Sequence, residues 1–228
     1  MTDQVKTRQR VSEHGEVFTA EREVNAMLDL VKNETERIES RFLEPACGSG
    51  NFLAEILNRK LAVVKAKYQK SKAEFEKYSV LAVTSIYGVD ILEDNVQECR
   101  DRMYEIWHRQ YEAVCKDEIM PDCEEAVRFI LQHNILCGNA LTMLRVDSKG
   151  QDTSEPIIFS QWDLTTGDMI KRRDYRFDEL MRGHNEQMDF GMLVGGWEYD
   201  EEIKAWVPGP INEFSPINYW EVHNAEHI

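Results

Sequence analysis

Three short stretches hold residue types that could bind a charged or sugar-bearing ligand. The first is Glu44-Pro45-Ala46-Cys47-Gly48-Ser49-Gly50. Two glycines this close let a chain turn tightly and let a ligand approach its backbone. With a helix starting at Asn51, the free N–H groups and dipole of its first turn favour a carboxylate or phosphate. The second is Asp90, 40 residues beyond Gly50. An acid at the end of the next strand can accept hydrogen bonds from both hydroxyls of a ribose. The third is Asn139, directly after Gly138. Taken singly, Gly-x-Gly also suits a plain strand-to-helix turn, and Asp90 also suits a helix cap.

The elements around them follow from periodicity. Val24, Met27, Leu28 and Val31 have helical spacing inside residues 17–39, with Thr19 ahead and Glu21 and Glu23 in the first turn. A short apolar stretch, Arg41 to Glu44, precedes the glycines, and an apolar-periodic helix follows from Asn51 with a break near Ser71. Ser85 to Val89 reads as a second strand ending in Asp90. An amphipathic helix then carries Leu92, Val96, Cys99, Met103, Ile106 and Tyr111 on one stripe. A helix near 122–133 leads into a third strand, Asn134 to Cys137. Alternating strands and helices imply a doubly wound α/β fold with a parallel sheet. Beyond about residue 145 the pattern weakens. SKGQDTSEP reads as a loop, Ile157 to Phe159 as a strand, and Trp197 to Asp200 with Ala205 to Val207 as a hairpin.

Composition bounds the function. The 228 residues are 42% hydrophobic and 30% charged, which supports a packed core and excludes wholesale disorder. No apolar run reaches a membrane span, and the polar N-terminus lacks a signal-peptide core. Five cysteines at irregular spacing suit reduced thiols in a cytoplasmic protein. Lys and Arg number 27 against 42 Asp and Glu, a net charge of -15. Residues 1–100 hold 15 basic and 17 acidic side chains, so most of the excess lies later. Phosphate neutralisation dominates non-specific DNA affinity, so an acidic chain needs a local basic surface or a partner to hold DNA.

The wording around the glycines is more specific than Gly-x-Gly. Phe42-Leu43-Glu44-Pro45-Ala46-Cys47-Gly48-Ser49-Gly50-Asn51-Phe52-Leu53 resembles the S-adenosylmethionine motif of adenine-specific (N6) DNA methyltransferases, with Glu44 where Asp is usual. His14-Gly15-Glu16-Val17-Phe18-Thr19 is similar to that family's Gly-x-Phe-(Tyr/Phe)-Thr-Pro segment, with Ala20 in place of Pro. Ile86-Tyr87-Gly88-Val89-Asp90-Ile91 and Asn134 to Leu141 resemble its next two motifs, with Asn139 where an Asp is usual. The motif order resembles that of modification subunits of restriction–modification systems.

The resemblance implies a Rossmann-like S-adenosylmethionine-dependent fold, a parallel or mixed sheet flanked by helices. That fold is expected over residues 17–145, behind a flexible arm at 1–16 and ahead of an irregular extension at 146–228 that leaves it possibly incomplete. It implies Phe18 and Thr19 at the methionine end of the cofactor and Glu44, Pro45, Ala46, Gly48 and Gly50 as its cradle. It also implies Asp90 at the ribose and Asn139 at the adenine.

One part of the family's pattern is missing. Those enzymes carry an (Asn/Asp/Ser)-Pro-Pro-aromatic segment that accepts the target amine and stacks on the flipped base. No Pro-Pro occurs in this chain. By position the nearest polar and aromatic residues are Ser160 and Trp162, where a polar strand end with a packed Trp is the plainer reading.

Other signals point to solvated or paired surface. The basic run Arg59, Lys60, Lys65, Lys67, Lys70, Lys72 and Lys77 suits a helix face. Lys171-Arg172-Arg173 with Tyr175, Arg176 and Phe177 suits either single-stranded nucleic acid or neighbouring carboxylates. Cys115, Cys123, His133 and Cys137 fit no zinc spacing, so no metal is expected.

The leading expectation is adenine methylation of DNA from S-adenosylmethionine in a restriction–modification or related defence system, with DNA held through a partner subunit or second chain. The alternative is a truncated or degenerate cofactor-binding or partner subunit without catalysis of its own. A small-molecule methyltransferase is a third reading.

Overall fold

The computed structural model describes residues 19–182, 198–200 and 205–226. Helix α1 (Glu21–Asp29) and the short α2 (Lys32–Thr35) lead into strand β1 (Phe42–Glu44). The expected single helix over 17–39 is therefore two. The break falls at Leu30 and Val31, both exposed, where a longer amphipathic helix would gain no burial. Helix α3 (Asn51–Tyr68) and α4 (Lys72–Thr84) follow, separated at Ser71 as its spacing suggests. The Ser71 hydroxyl accepts a hydrogen bond from the Glu74 N–H and caps α4. Strand β2 (Ile86–Asp90), α5 (Glu93–Cys115), α6 (Pro121–Asn134) and β3 (Ile135–Cys137) complete the first half.

Strands β1, β2 and β3 form one parallel sheet in that order. Ile86, Ile135 and Cys137 pack with the buried faces of α3, α4, α5 and α6. Alternate residues Tyr87, Val89 and Leu136 point to the other face, as strand geometry requires. They meet Ile157, Phe159 and Phe177 there. The sheet is thus flanked by helices on one side, while Ile157, Phe159 and Phe177 of the later chain cover the other; Trp162, Ile170, Tyr219 and Val222 of the same chain join the helix-side core.

That later chain is more regular than its sequence suggests. SKGQDTSEP is not all loop: β4 (Leu144–Val146) pairs antiparallel with β5 (Asp152–Pro156), and the turn is confined to the residues between. The Asp147 carboxylate accepts from the Lys149 and Gln151 N–H groups, which closes the turn locally. Strand β6 (Ile158–Leu164) pairs along its length with β7 (Met169–Arg176), and helix α7 (Phe177–Arg182) follows. The hairpin appears as β8 (Glu198–Asp200) with β9 (Ala205–Val207). Two short strands, β10 (Asn212–Glu213) and β11 (Ile217–Asn218), both pair with β7. Among the described residues, the expected irregular extension therefore holds antiparallel strands in three separate sheets. Its alternation is masked by polar residues that satisfy one another, as in the bidentate Arg172–Asp174 pair.

Candidate nucleoside-binding site

The glycine turn sits at the C-terminal end of β1. Gly48 and Gly50 have φ of 52° and 85°, a left-handed backbone that side chains disfavour. Gly50 also has no room: a Cβ there would lie 2.5 Å from Cys99 Sγ. The turn is stitched to β2 by the Cys47 N–H donating to Val89 O at 2.9 Å and by the Gly48 N–H donating to Asp90 Oδ2 at 2.9 Å. Asn51 opens α3 and donates from Nδ2 to Thr19 O, while Arg102 Nη1 donates to Asn51 Oδ1 at 2.6 Å. The chain before α1 is so tied to the start of α3.

Asp90 ends β2 and is held on both oxygens. Oδ1 accepts from the Leu92 N–H at 2.9 Å and from Asn95 Nδ2 at 3.3 Å. The Gly138 N–H donates to Asp90 O, which brings the third strand's end to the same place. Asn139 Oδ1 accepts from the Leu141 N–H, and its Nδ2 donates to Asp152 Oδ1. The strap 139–143 therefore forms a compact turn against β4 and β5.

Together these loops line one cleft of about 590 Å3. Thr19, Glu44, Pro45, Ala46, Gly48, Asp90 and Asn139 all border it. Gly50 shapes the turn beneath. Phe18 and the rest of the segment from His14 lie outside the described residues. Burial raises the Glu44 carboxyl above its ordinary pKa, partly offset by the Ala46 N–H. The neighbouring Cys99 thiol and burial push the Cys47 thiol up.

Sequence reasoning missed several lining residues. Ile91, Leu92, Asn95 and Leu141 also border the cleft. Leu141 is 92% exposed, an apolar side chain at the border of the cleft. The signal available in the sequence was position, since all four flank an already quoted motif.

Ser160 and Trp162 are not brought to this cleft. Both are buried. Ser160 Oγ donates to Asp174 Oδ1, and Trp162 Nε1 donates to Asn134 Oδ1, so each is a structural link. The basic groups are largely engaged as well. Lys171, Arg172, Arg173 and Arg176 each pair with a carboxylate, and Lys60 is buried. Among the described residues no cluster of three or more metal-ligating side chains forms. Within them, no helix is long and apolar enough to cross a membrane.

A parallel sheet flanked by helices, with a glycine turn, an acid and an Asn strap meeting at its strand ends, defines an α/β protein with its cleft at the carboxyl ends of the strands. Residues 18–154 match the family model described as MmeI, DNA-methyltransferase domain, and the chain belongs to that family. The chain is also 31% identical over 107 residues to a protein of Methanocaldococcus jannaschii named as a putative type II restriction enzyme and methyltransferase. The match covers 44% of this chain and 8% of that much longer protein. No solved structure matches.

Proposed function

We propose that this chain binds S-adenosylmethionine in the cleft at the strand ends and serves adenine-N6 methylation of DNA in a restriction–modification setting. The observation that carries the reading is the meeting of three motif loops, from β1, β2 and β3, around one cleft. The residues present suit the cofactor. Asp90 offers a carboxylate to the ribose hydroxyls. Ile91, Leu92 and Leu141 offer apolar surface to the adenine ring. Thr19 and Glu44 border the end where the methionine part would lie, and Asn139 stands at the base.

When bound, S-adenosylmethionine supplies an electrophilic methyl group on a positive sulfur. The protein's share is alignment: the turn at Gly48 and Gly50 lets the backbone approach the ligand, and Asp90 fixes the sugar. Asn139 would serve the adenine through its amide, after its present contacts to Leu141 and Asp152 adjust. The cytoplasmic setting belongs to this proposal too.

A second reading is favoured by one observation. Among the described residues β1 pairs only with β2. Exposed Met27, Val31 and Leu43 lie on one side of its open edge, and Leu180 and Met181 lie on the other. With Ser160 and Trp162 buried as links, the segment that receives the target amine would lie outside the described residues, on this or another polypeptide, and residues 19–154 would be the cofactor-binding part.

Calorimetric titration of S-adenosylmethionine into the wild type and Asp90→Ala tests the binding claim. Tight binding in the wild type, weakened at least tenfold in the variant, is the expected result (about 1.4 kcal/mol). A folded wild type that takes up no ligand would end the proposal. Transfer of labelled methyl to unmethylated DNA by the chain alone separates the two readings.

A further inference from the structure

The acid of the cleft has fewer free acceptor sites than a ribose demands. An ionised carboxylate offers about four lone-pair positions. Three of those on Asp90 are filled within the fold, by the N–H groups of Gly48 and Leu92 and by the Asn95 amide. A ribose brings two neighbouring hydroxyl donors. One can use the open position, and the other must replace a protein donor.

The three donors are not equivalent. The Gly48 and Leu92 bonds are 2.9 Å long and come from backbone that shapes the turn and the start of α5. Displacing either would disturb the loops themselves. The Asn95 bond is the longest at 3.3 Å and comes from a side chain rather than from loop backbone. Asn95 sits in the first turn of α5, is 1% exposed, and borders the cleft directly. Its amide is a donor as well as an acceptor group.

We infer that Asn95 is a second sugar-reading residue, paired with Asp90. One ribose hydroxyl enters between Asn95 Nδ2 and Asp90 Oδ1. It donates its hydrogen to the carboxylate and accepts the amide N–H on its oxygen. The other hydroxyl donates to the open position on Asp90. The pair thus selects a vicinal diol over a deoxy sugar, because a sugar with one hydroxyl leaves this exchange unmade. The inference rests on the cofactor reading above and adds a specificity determinant to it.

The test is calorimetry with S-adenosylhomocysteine and its 2′-deoxy and 3′-deoxy analogues, on the wild type, Asn95→Leu, Asn95→Ala and Asp90→Ala. Thermal unfolding establishes which variants are folded, and the alanine variant covers the case in which leucine does not fit. The wild type is expected to prefer the ribose ligand over at least one deoxy analogue by roughly tenfold. In a folded Asn95 variant that preference should fall to a few-fold, with affinity for that deoxy analogue little changed. Asp90→Ala should lose affinity for every ligand that retains a hydroxyl. An unchanged preference in the Asn95 variants, or an equal loss for ribose and deoxy ligands, would overturn the inference while leaving the cofactor site intact. A wild type that binds none of the three ligands overturns both.

Discussion

The two faces of the parallel sheet are held by different forces. On one face, α3 to α6 bury a continuous apolar core that includes Leu53, Leu57, Phe75, Met103 and Trp107. On the other, six buried side chains around Phe159 form a smaller cluster, and polar links spanning long stretches of chain do much of the fastening. Tyr87 donates its hydroxyl to Ser160 O, Trp162 donates to Asn134, and Arg41 and Arg173 both reach Asp163. A core of local helices tolerates loops at its strand ends, and the cleft lies there. The later chain spends its polar groups on holding itself to the sheet and to α6, and that is why its serine, tryptophan and arginines are absent from the cleft.

The largest expected effect falls on the fastening. Trp162→Ala removes a buried indole and leaves Asn134 Oδ1 without its donor, so unfolding free energy should drop by about 3–5 kcal/mol. Denaturant titration measures it. The indole packs in the helix-side core and does not border the cleft, so ligand affinity in the surviving folded fraction should hardly move.

Gly50→Ala probes the opposite region. The new Cβ would meet Cys99 Sγ on a backbone at φ 85°, costing roughly 1–3 kcal/mol. Here affinity for S-adenosylmethionine should fall along with stability, because the turn itself is displaced. An unaffected affinity would break the link between turn geometry and binding.

Lys60 offers a pH test of the helix-face core. Its ammonium is buried and donates to Ile38 O, Ser40 O and Ser85 Oγ, which offsets part of the cost of burying it. Burial still pulls its pKa down to about 7. Between that value and the ordinary lysine range, the unfolded chain holds a proton that the folded chain has shed. Stability from this group should therefore rise with pH from about 7 toward 10, by at most about 1.4 kcal/mol per unit. The rise should be missing in Lys60→Met, as followed by denaturation at several pH values.

The smallest effect is expected at the rim. Arg41→Ala loses an exposed ion pair with Asp163 and should cost well under 1 kcal/mol, fading further in salt. A larger loss would mean that the second face leans on its surface charges more than on Trp162.

Legibility differed along the chain for physical reasons. The helices up to Asn134 were readable because each buries an apolar stripe against one core, and β2 and β3 because they are short apolar runs buried on both faces. Strands β5, β7, β10 and β11 were not; on β7, Asp174 is buried beside its partners Ser160 and the half-buried Arg172, which hides the alternation. In the site, the glycines and Asp90 announced themselves by type and spacing. Asn95 and Leu141 carry no such signature, and only the fold turns them toward the cleft.

What the sequence alone determined is the order of the motif loops and the helical core that carries them, since glycine freedom and apolar periodicity are local properties of the chain. The tertiary structure decided which polar groups are spent. Ser160, Trp162 and the arginines of β7 were free candidates on paper, and long-range packing consumed them. Asp90 was a single carboxylate on paper, and its neighbours from two segments, the glycine turn and the start of α5, set how much of it remains for a ligand. Such neighbours lie up to 42 residues away in the chain and meet only when the sheet forms.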